Sequence, residues 1–251
     1  QSFSWRVGLI QQILRQRQQS LDVGLAFDYR DSDTDVLDTV SSRDRIRKVQ
    51  AKLNYDGQDP FRGLNNFGLT VSQGIDGVGS NNAGDENLSR PAAKPDFTAF
   101  NARWQRQQFI ARDWLLTSTL VGQKASGPLL ASEEFGFGGP TLGRAYDASE
   151  ITGDDGIAGS LEVSFTGIKP LWDWSLTPSV FYDIGKVWNQ NSGQPDNAAA
   201  DAAGMGLSFT HPSGINGRLS FALPLTTSPD TSAQSDNGHD PQLFFQVGRN
   251  F

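Results

Sequence analysis

The chain has 251 residues, a net charge of −7 and no cysteine, which excludes a disulfide framework and a thiolate metal site. The acidic balance also argues against a nucleic-acid partner. Mean hydropathy is −0.43, and nowhere is there an uncharged apolar run of about 18 residues, so no helix of this sequence can span a bilayer. A barrel strand escapes that test, because its lipid-facing and lumen-facing residues alternate and its average hydropathy stays near that of a soluble protein.

In chain order the recurring signal is period-two alternation over roughly 9–12 residues, the span that a tilted membrane strand needs. Gln1 to Trp5 already read as strand and not as a signal peptide, as expected of a processed or truncated product. Residues 21–30 set Leu21, Val23, Leu25, Phe27 and Tyr29 on one face against Asp22, Gly24, Ala26, Asp28 and Arg30 on the other. Residues 46–56 repeat the pattern, with Val49, Ala51, Leu53 and Tyr55 opposite Lys48, Gln50, Lys52, Asn54 and Asp56. Eleven strands are predicted, over 3–14, 20–31, 45–56, 63–74, 96–110, 113–124, 159–168, 173–188, 202–211, 216–226 and 242–251. In the sixth, Leu115-Leu116 and Leu120-Val121 blur the alternation.

The predicted connections alternate in length. Short ones fall near 15–19, 57–62, 111–112, 169–172 and 212–215; long ones, rich in Gly, Asp, Asn, Ser and Pro, cover 32–44, 75–95, 125–158, 189–201 and 227–241. Short turns on one side and long loops on the other are the outer-membrane pattern, with the short side periplasmic. Trp172 and Trp174 at a short turn, and Trp188 at the far end of the same strand, suit two interfacial girdles. The expected fold is therefore all-β, a transmembrane antiparallel barrel. Since bacterial barrels have even strand numbers and begin in the periplasm, eleven strands imply either an odd number upstream or a strand miscounted here.

The long segment 135–165, FGFGGPTLGRAYDASEITGDDGIAGSLEVSF, and the strand 180–188, VFYDIGKVW, carry more specific text. Together they resemble the C-terminal barrel of the two-partner-secretion transporters (TpsB, the haemolysin-activator type) and their relatives, the BamA-type assembly factors. Gly138-Gly139 match a glycine pair of that superfamily, and Arg144-Ala145-Tyr146 match the tip of a loop folded back into the pore. Gly153 to Gly156 match the turn after it, Glu162 an acidic position, and Phe181-Tyr182-Asp183-Ile184-Gly185 a strand motif. The resemblance implies a sixteen-stranded barrel of which residues 1–251 are strands six to sixteen, with an inward loop at about 125–158 and soluble POTRA domains upstream. It departs from the pattern at Ala145 and Gly143, and at Arg249, which stands where an apolar residue is usual but can snorkel to the interface. Phe251 matches the terminal aromatic of the assembly signal, which implies recognition by the barrel assembly machinery.

Alternation places Asp183 on the lumen side of its strand. On the residues alone Arg144 reads as a solvated loop charge and Asp183 as one of many lumen carboxylates; the resemblance implies instead that Arg144 at the loop tip is its partner, in a guanidinium–carboxylate pairing that is directional and can be bidentate. Tyr146 is expected to stack beside the arginine, and Gly139 and Gly185 to leave room for close backbone approach. The implied function is secretion of an unfolded, TpsA-like exoprotein across the bacterial outer membrane, in contact with its lipid and without a cofactor. The alternatives are an assembly factor or patatin-type autotransporter barrel and, behind these, a passive porin. Catalysis is not expected: His211 lies in a short turn and His239 in a long loop, neither with a hydroxyl and a carboxylate arranged around it. Asp31 to Asp38 and the Gly153–Gly156 turn are acidic, but they lack calcium-loop spacing and are expected to be solvated.

Overall fold

The computed structural model describes residues 1–37, 39–190, 195–226 and 240–250. Eleven strands form one sheet: β1 (Ser2–Arg15), β2 (Gln19–Val36), β3 (Thr39–Gln58), β4 (Leu64–Gly74), β5 (Thr98–Ala111), β6 (Trp114–Ala125), β9 (Asp155–Phe165), β10 (Ser175–Trp188), β11 (Asn197–Thr210), β12 (Ile215–Pro224) and β13 (Gln242–Arg249). They pair antiparallel in strict chain order from β1 to β13, and β1 and β13 are the two edges of this sheet among the described residues. The remaining strands, β7 (Phe135–Phe137) and β8 (Ile151–Gly153), make a small hairpin inside the β6–β9 connection.

Alternation explains which residues face where. Val7, Leu25, Val49, Phe100, Leu161, Val180, Ile184, Leu219 and Phe245 are all exposed on one face. The registers join them across neighbouring strands, as in Val7–Phe27, Leu9–Leu25–Ala51 and Leu161–Tyr182. An apolar surface of this extent is unstable against water and matched to lipid. The opposite face carries hydroxyls, amides and charges such as Lys48, Gln50, Thr117, Asp183 and Arg218. From Trp174 to Trp188 fourteen residue steps at about 3.3 Å, tilted by about 40°, project to roughly 35 Å, enough to cross a bilayer. Trp174 packs edge-on to Phe209 and beside His211 at the short-turn end.

The sixth strand pairs with both neighbours despite its blurred alternation, with one register shift opposite it in β5, between Phe109 and Ala111. The stretch 32–44 differs from expectation. It is not a loop but the end of a long hairpin, with a register shift between Thr34 and Asp35. Its Asp and Ser content reads as loop, yet Asp33 and the neighbouring Asp31 are matched across the hairpin: Arg45 donates to Asp33 at 2.7 Å, and Arg47 to Asp31 at 2.8 Å. At about 3.4 Å per residue β3 is long enough to project well beyond a membrane. The β11 strand also begins earlier than expected, at Asn197, and the β9–β10 connection is longer, since β9 ends at Phe165.

Candidate functional site

The β6–β9 connection folds back over the polar face of the sheet. Its buried residues Phe135, Phe137, Ala145, Tyr146 and Ile151 form one cluster with Ala158, Phe181, Val187, Ala200, Ala202 and Ala222 of β9 to β12. Apart from Phe181 and Val187 that wall is built of alanines, and the space they leave is filled by the aromatic rings of the returning segment. Gly185 is the clearest case, because a Cβ there would come within 2.4–2.8 Å of the Phe137 ring. Gly138, at φ +127°, is the glycine in close backbone approach: a Cβ would lie 2.0 Å from the Asp147 carbonyl oxygen. Gly139, singled out for that role in the sequence, would place a Cβ no nearer than 3.6 Å to a neighbour and is held instead by a hydrogen bond from its amide to the Tyr146 carbonyl.

At the tip, Asp183 is fully buried and Arg144 is 3% exposed. Arg144 donates from Nε to Asp183 Oδ2 at 2.9 Å and from Nη2 to Oδ1 at 2.8 Å. The backbone amides of Gly143 and Arg144 both donate to Oδ2 at 3.0 Å, so the carboxylate grips the turn as well as the side chain. On its other edge the guanidinium reaches Glu162 Oε2 at 2.6 Å and Ser160 Oγ at 3.0 Å. Glu162 in turn accepts from Arg218 of β12 at 2.7 Å. Burial works against the Arg144 charge, but its bonds to Asp183 and Glu162 outweigh it and raise its pKa further.

The ring that stacks on the guanidinium is Phe181, 3.3 Å from Arg144 Cζ to the centroid, and not Tyr146. Alternation accounts for this, since Phe181 and Asp183 share one face of β10. Tyr146 turns away: its ring lies 6.0 Å from Phe137, and its hydroxyl lies within bonding distance of the Asp201 and Thr226 carbonyls at 2.8 and 3.0 Å. Ser160 and Arg218 belong to no motif of the sequence. Both lie on the lumen side of their strands by simple alternation, Ser160 two residues before Glu162. Phe251 lies outside the described residues, as does His239. His211 is in its turn, its Nδ1 accepting from the Ser213 amide at 3.2 Å.

The acidic turn at 153–156 is not solvated. Asp154 is fully buried and Asp155 nearly so, each held by a cation, Arg90 and Lys124 respectively. Beside Arg90, burial pushes the Glu134 carboxyl up from the usual range, opposed by the arginine's charge. At the opposite end of the sheet Asp59, in the β3–β4 turn, is held at about 2, chiefly by its hydrogen bond from Arg106.

The family model for the haemolysin secretion/activation protein ShlB/FhaC/HecB matches residues 2–234. Comparison with curated protein sequences gives no match. Among solved structures, CdiB from Escherichia coli superposes with a TM-score of 0.80 at 17% identity, over 98% of this chain and 45% of that one. CdiB from Acinetobacter baumannii gives 0.71 at 16% identity, over 98% and 42%. BamA from Haemophilus ducreyi lacking POTRA domains 1–3 gives 0.65 at 12%, over 98% and 53%. At these identities the likeness is one of fold, and the chain spans about half the length of the proteins it matches.

Proposed function

The chain belongs to the haemolysin secretion/activation protein family ShlB/FhaC/HecB, and from that premise we propose that it forms the greater part of an outer-membrane pore secreting an unfolded exoprotein partner. In this reading its eleven strands are strands six to sixteen of a sixteen-stranded barrel, seated in lipid after delivery by the barrel assembly machinery. The observation that carries the reading is the buried Arg144–Asp183 contact, which fixes a long returning segment against the polar wall. A passive porin gains nothing from such a segment held by a specific fork of charge-assisted bonds. A translocation pore needs a plug that stays shut at rest and can leave without unfolding the barrel.

The pair, together with Glu162, Ser160 and the Phe181 ring, acts as a latch on the plug, and Gly138 and Gly185 permit its close seating. The test is secretion of the cognate exoprotein into the medium by cells carrying Arg144→Ala or Asp183→Ala in the full-length protein. Both variants are expected to assemble and to secrete poorly. Normal secretion by both would refute the latch. An insertase is the second reading, favoured only by the fold likeness to BamA. It predicts instead that depletion lowers the amounts of other outer-membrane barrels.

A further inference from the structure

A second buried ion pair lies in the connections between strands, apart from the Arg144 network. The Asp154 carboxylate accepts the backbone amides of Leu129 and Gln190, each at 2.7 Å. Both of its oxygens also meet Arg90, one from Nη1 and the other from Nη2 at 3.1 Å. Arg90, itself buried, further donates to the Leu129 carbonyl at 2.7 Å and faces Glu134 Oε1 at 3.2 Å. Three connections on one side of the sheet therefore converge on a single carboxylate: β4–β5 through Arg90, β6–β9 through Leu129, and β10–β11 through Gln190.

The β4–β5 connection lies between β3 and the returning segment and is fastened to both. On the β3 side Arg45 donates its amide to Asn81 Oδ1 at 2.5 Å, and Ser89 donates its amide to Asp44 at 3.0 Å. Toward the returning segment, Ala131 donates its amide to Ser89 Oγ at 3.1 Å and Lys94 to the Pro128 carbonyl at 3.1 Å. Leu88 and Ala93 pack with Ile46 of β3 and Leu130 of the segment. The connection is a cap, and Arg90 is its buried cation. A buried pair contributes little to net stability but is costly to break from one side, which makes it suited to holding one arrangement against others.

We propose that Arg90 and Asp154 are a second latch, a gating pair that clamps the β4–β5 connection as a cap over the root of the returning segment and opens independently of Arg144 and Asp183. Release of the cap during export rests on the translocation reading above. The clamp itself does not, and is tested without any exoprotein.

The chain has no cysteine, so single cysteines can report on each latch in the full-length protein once any cysteines outside these residues are replaced by serine. Ala93→Cys probes the cap and Ala145→Cys the tip, both positions being buried. In intact cells treated with a membrane-impermeant maleimide, adding Arg90→Ala is expected to speed labelling at 93 by at least about tenfold and to leave 145 unchanged, since only the cap's local opening is favoured. Unchanged labelling at 93 in a variant whose heat-modifiable gel mobility shows a folded barrel overturns the proposal. Equal acceleration at 93 and 145 overturns the independence of the two latches.

If Arg90→Ala does not assemble, Ser89→Cys with Ala131→Cys serves instead, because that pair bridges cap and segment. With Arg144→Ala present, the oxidised pair is expected to suppress open-channel events in planar bilayers relative to the same protein after reduction. Equal opening in both states overturns the proposal. Failure of the secretion reading would leave both results unaltered.

Discussion

Asp183→Asn keeps the shape of the latch and removes its charge, so it isolates what the carboxylate supplies. In the parent, Oδ2 accepts three bonds, from the Gly143 and Arg144 amides and Arg144 Nε, and Oδ1 accepts one from Nη2. An asparagine retains one acceptor, and its amide nitrogen must face donors whichever way it turns. The carboxylate left to Arg144 is then Glu162, which is already shared with Arg218, beside the neutral Ser160 hydroxyl and the asparagine oxygen. Breaking a buried pair from one side costs about 3–5 kcal/mol, and the surviving Glu162 contact brings the expected loss to the lower end, about 3 kcal/mol. At about 1.4 kcal/mol per decade the undocked population rises roughly a hundredfold. Hydrogen exchange reads this directly, because the Gly143 and Arg144 amides owe their protection to Asp183. Peptides covering 138–150, measured in nanodiscs, should exchange about two decades faster in Asp183→Asn, with β10 unchanged. Glu162→Gln leaves the Asp183 fork intact and should accelerate exchange less. Parental exchange in Asp183→Asn, or a larger effect from Glu162→Gln, would refute the assignment of Asp183 as the centre of the latch.

Gly185→Ala drives a methyl into the Phe137 ring; the ring is enclosed, so undocking of the β7–β8 hairpin by about 1–3 kcal/mol is expected, read by exchange over 135–153. Gly138→Ala should cost more in the same assay, because the obstruction is a backbone carbonyl and φ is +127°. Tyr146→Phe removes the hydroxyl donor to the Asp201 and Thr226 carbonyls and should loosen the segment by about 1 kcal/mol while the Phe137 contact persists. Asp59 is depressed to about 2 by Arg106, so its bonds to the β3–β4 turn are fully present above the ordinary carboxylate pKa near 3.8 and are lost only as pH falls through about 2. A carbon-detected titration of its carboxyl should show that midpoint, and Arg106→Gln should return it toward the ordinary value.

The parts of this protein that are legible in its sequence are those governed by a local period. A strand with one face in lipid and one in water must alternate, so ten residues suffice to find it, and the same alternation by itself places Phe181, Asp183 and Glu162 on the lumen side. The hairpin end at 32–44 is hidden because its cross-strand partners, Asp31 with Arg47 and Asp33 with Arg45, are polar on both sides and leave no hydrophobic trace. Assigning the stack to Tyr146 fails for a different reason: adjacency in the tip suggests it, whereas the register of β10 determines which ring underlies the guanidinium. Arg90 and Asp154 lie 64 residues apart in two irregular connections, with no period relating them. Nothing local separates such a pair from solvated charge, which is why the acidic turn reads as solvated in the sequence. Only the folding of three connections onto one another removes Asp154 from water, and burial is what turns an ordinary aspartate into a contact whose loss would be felt.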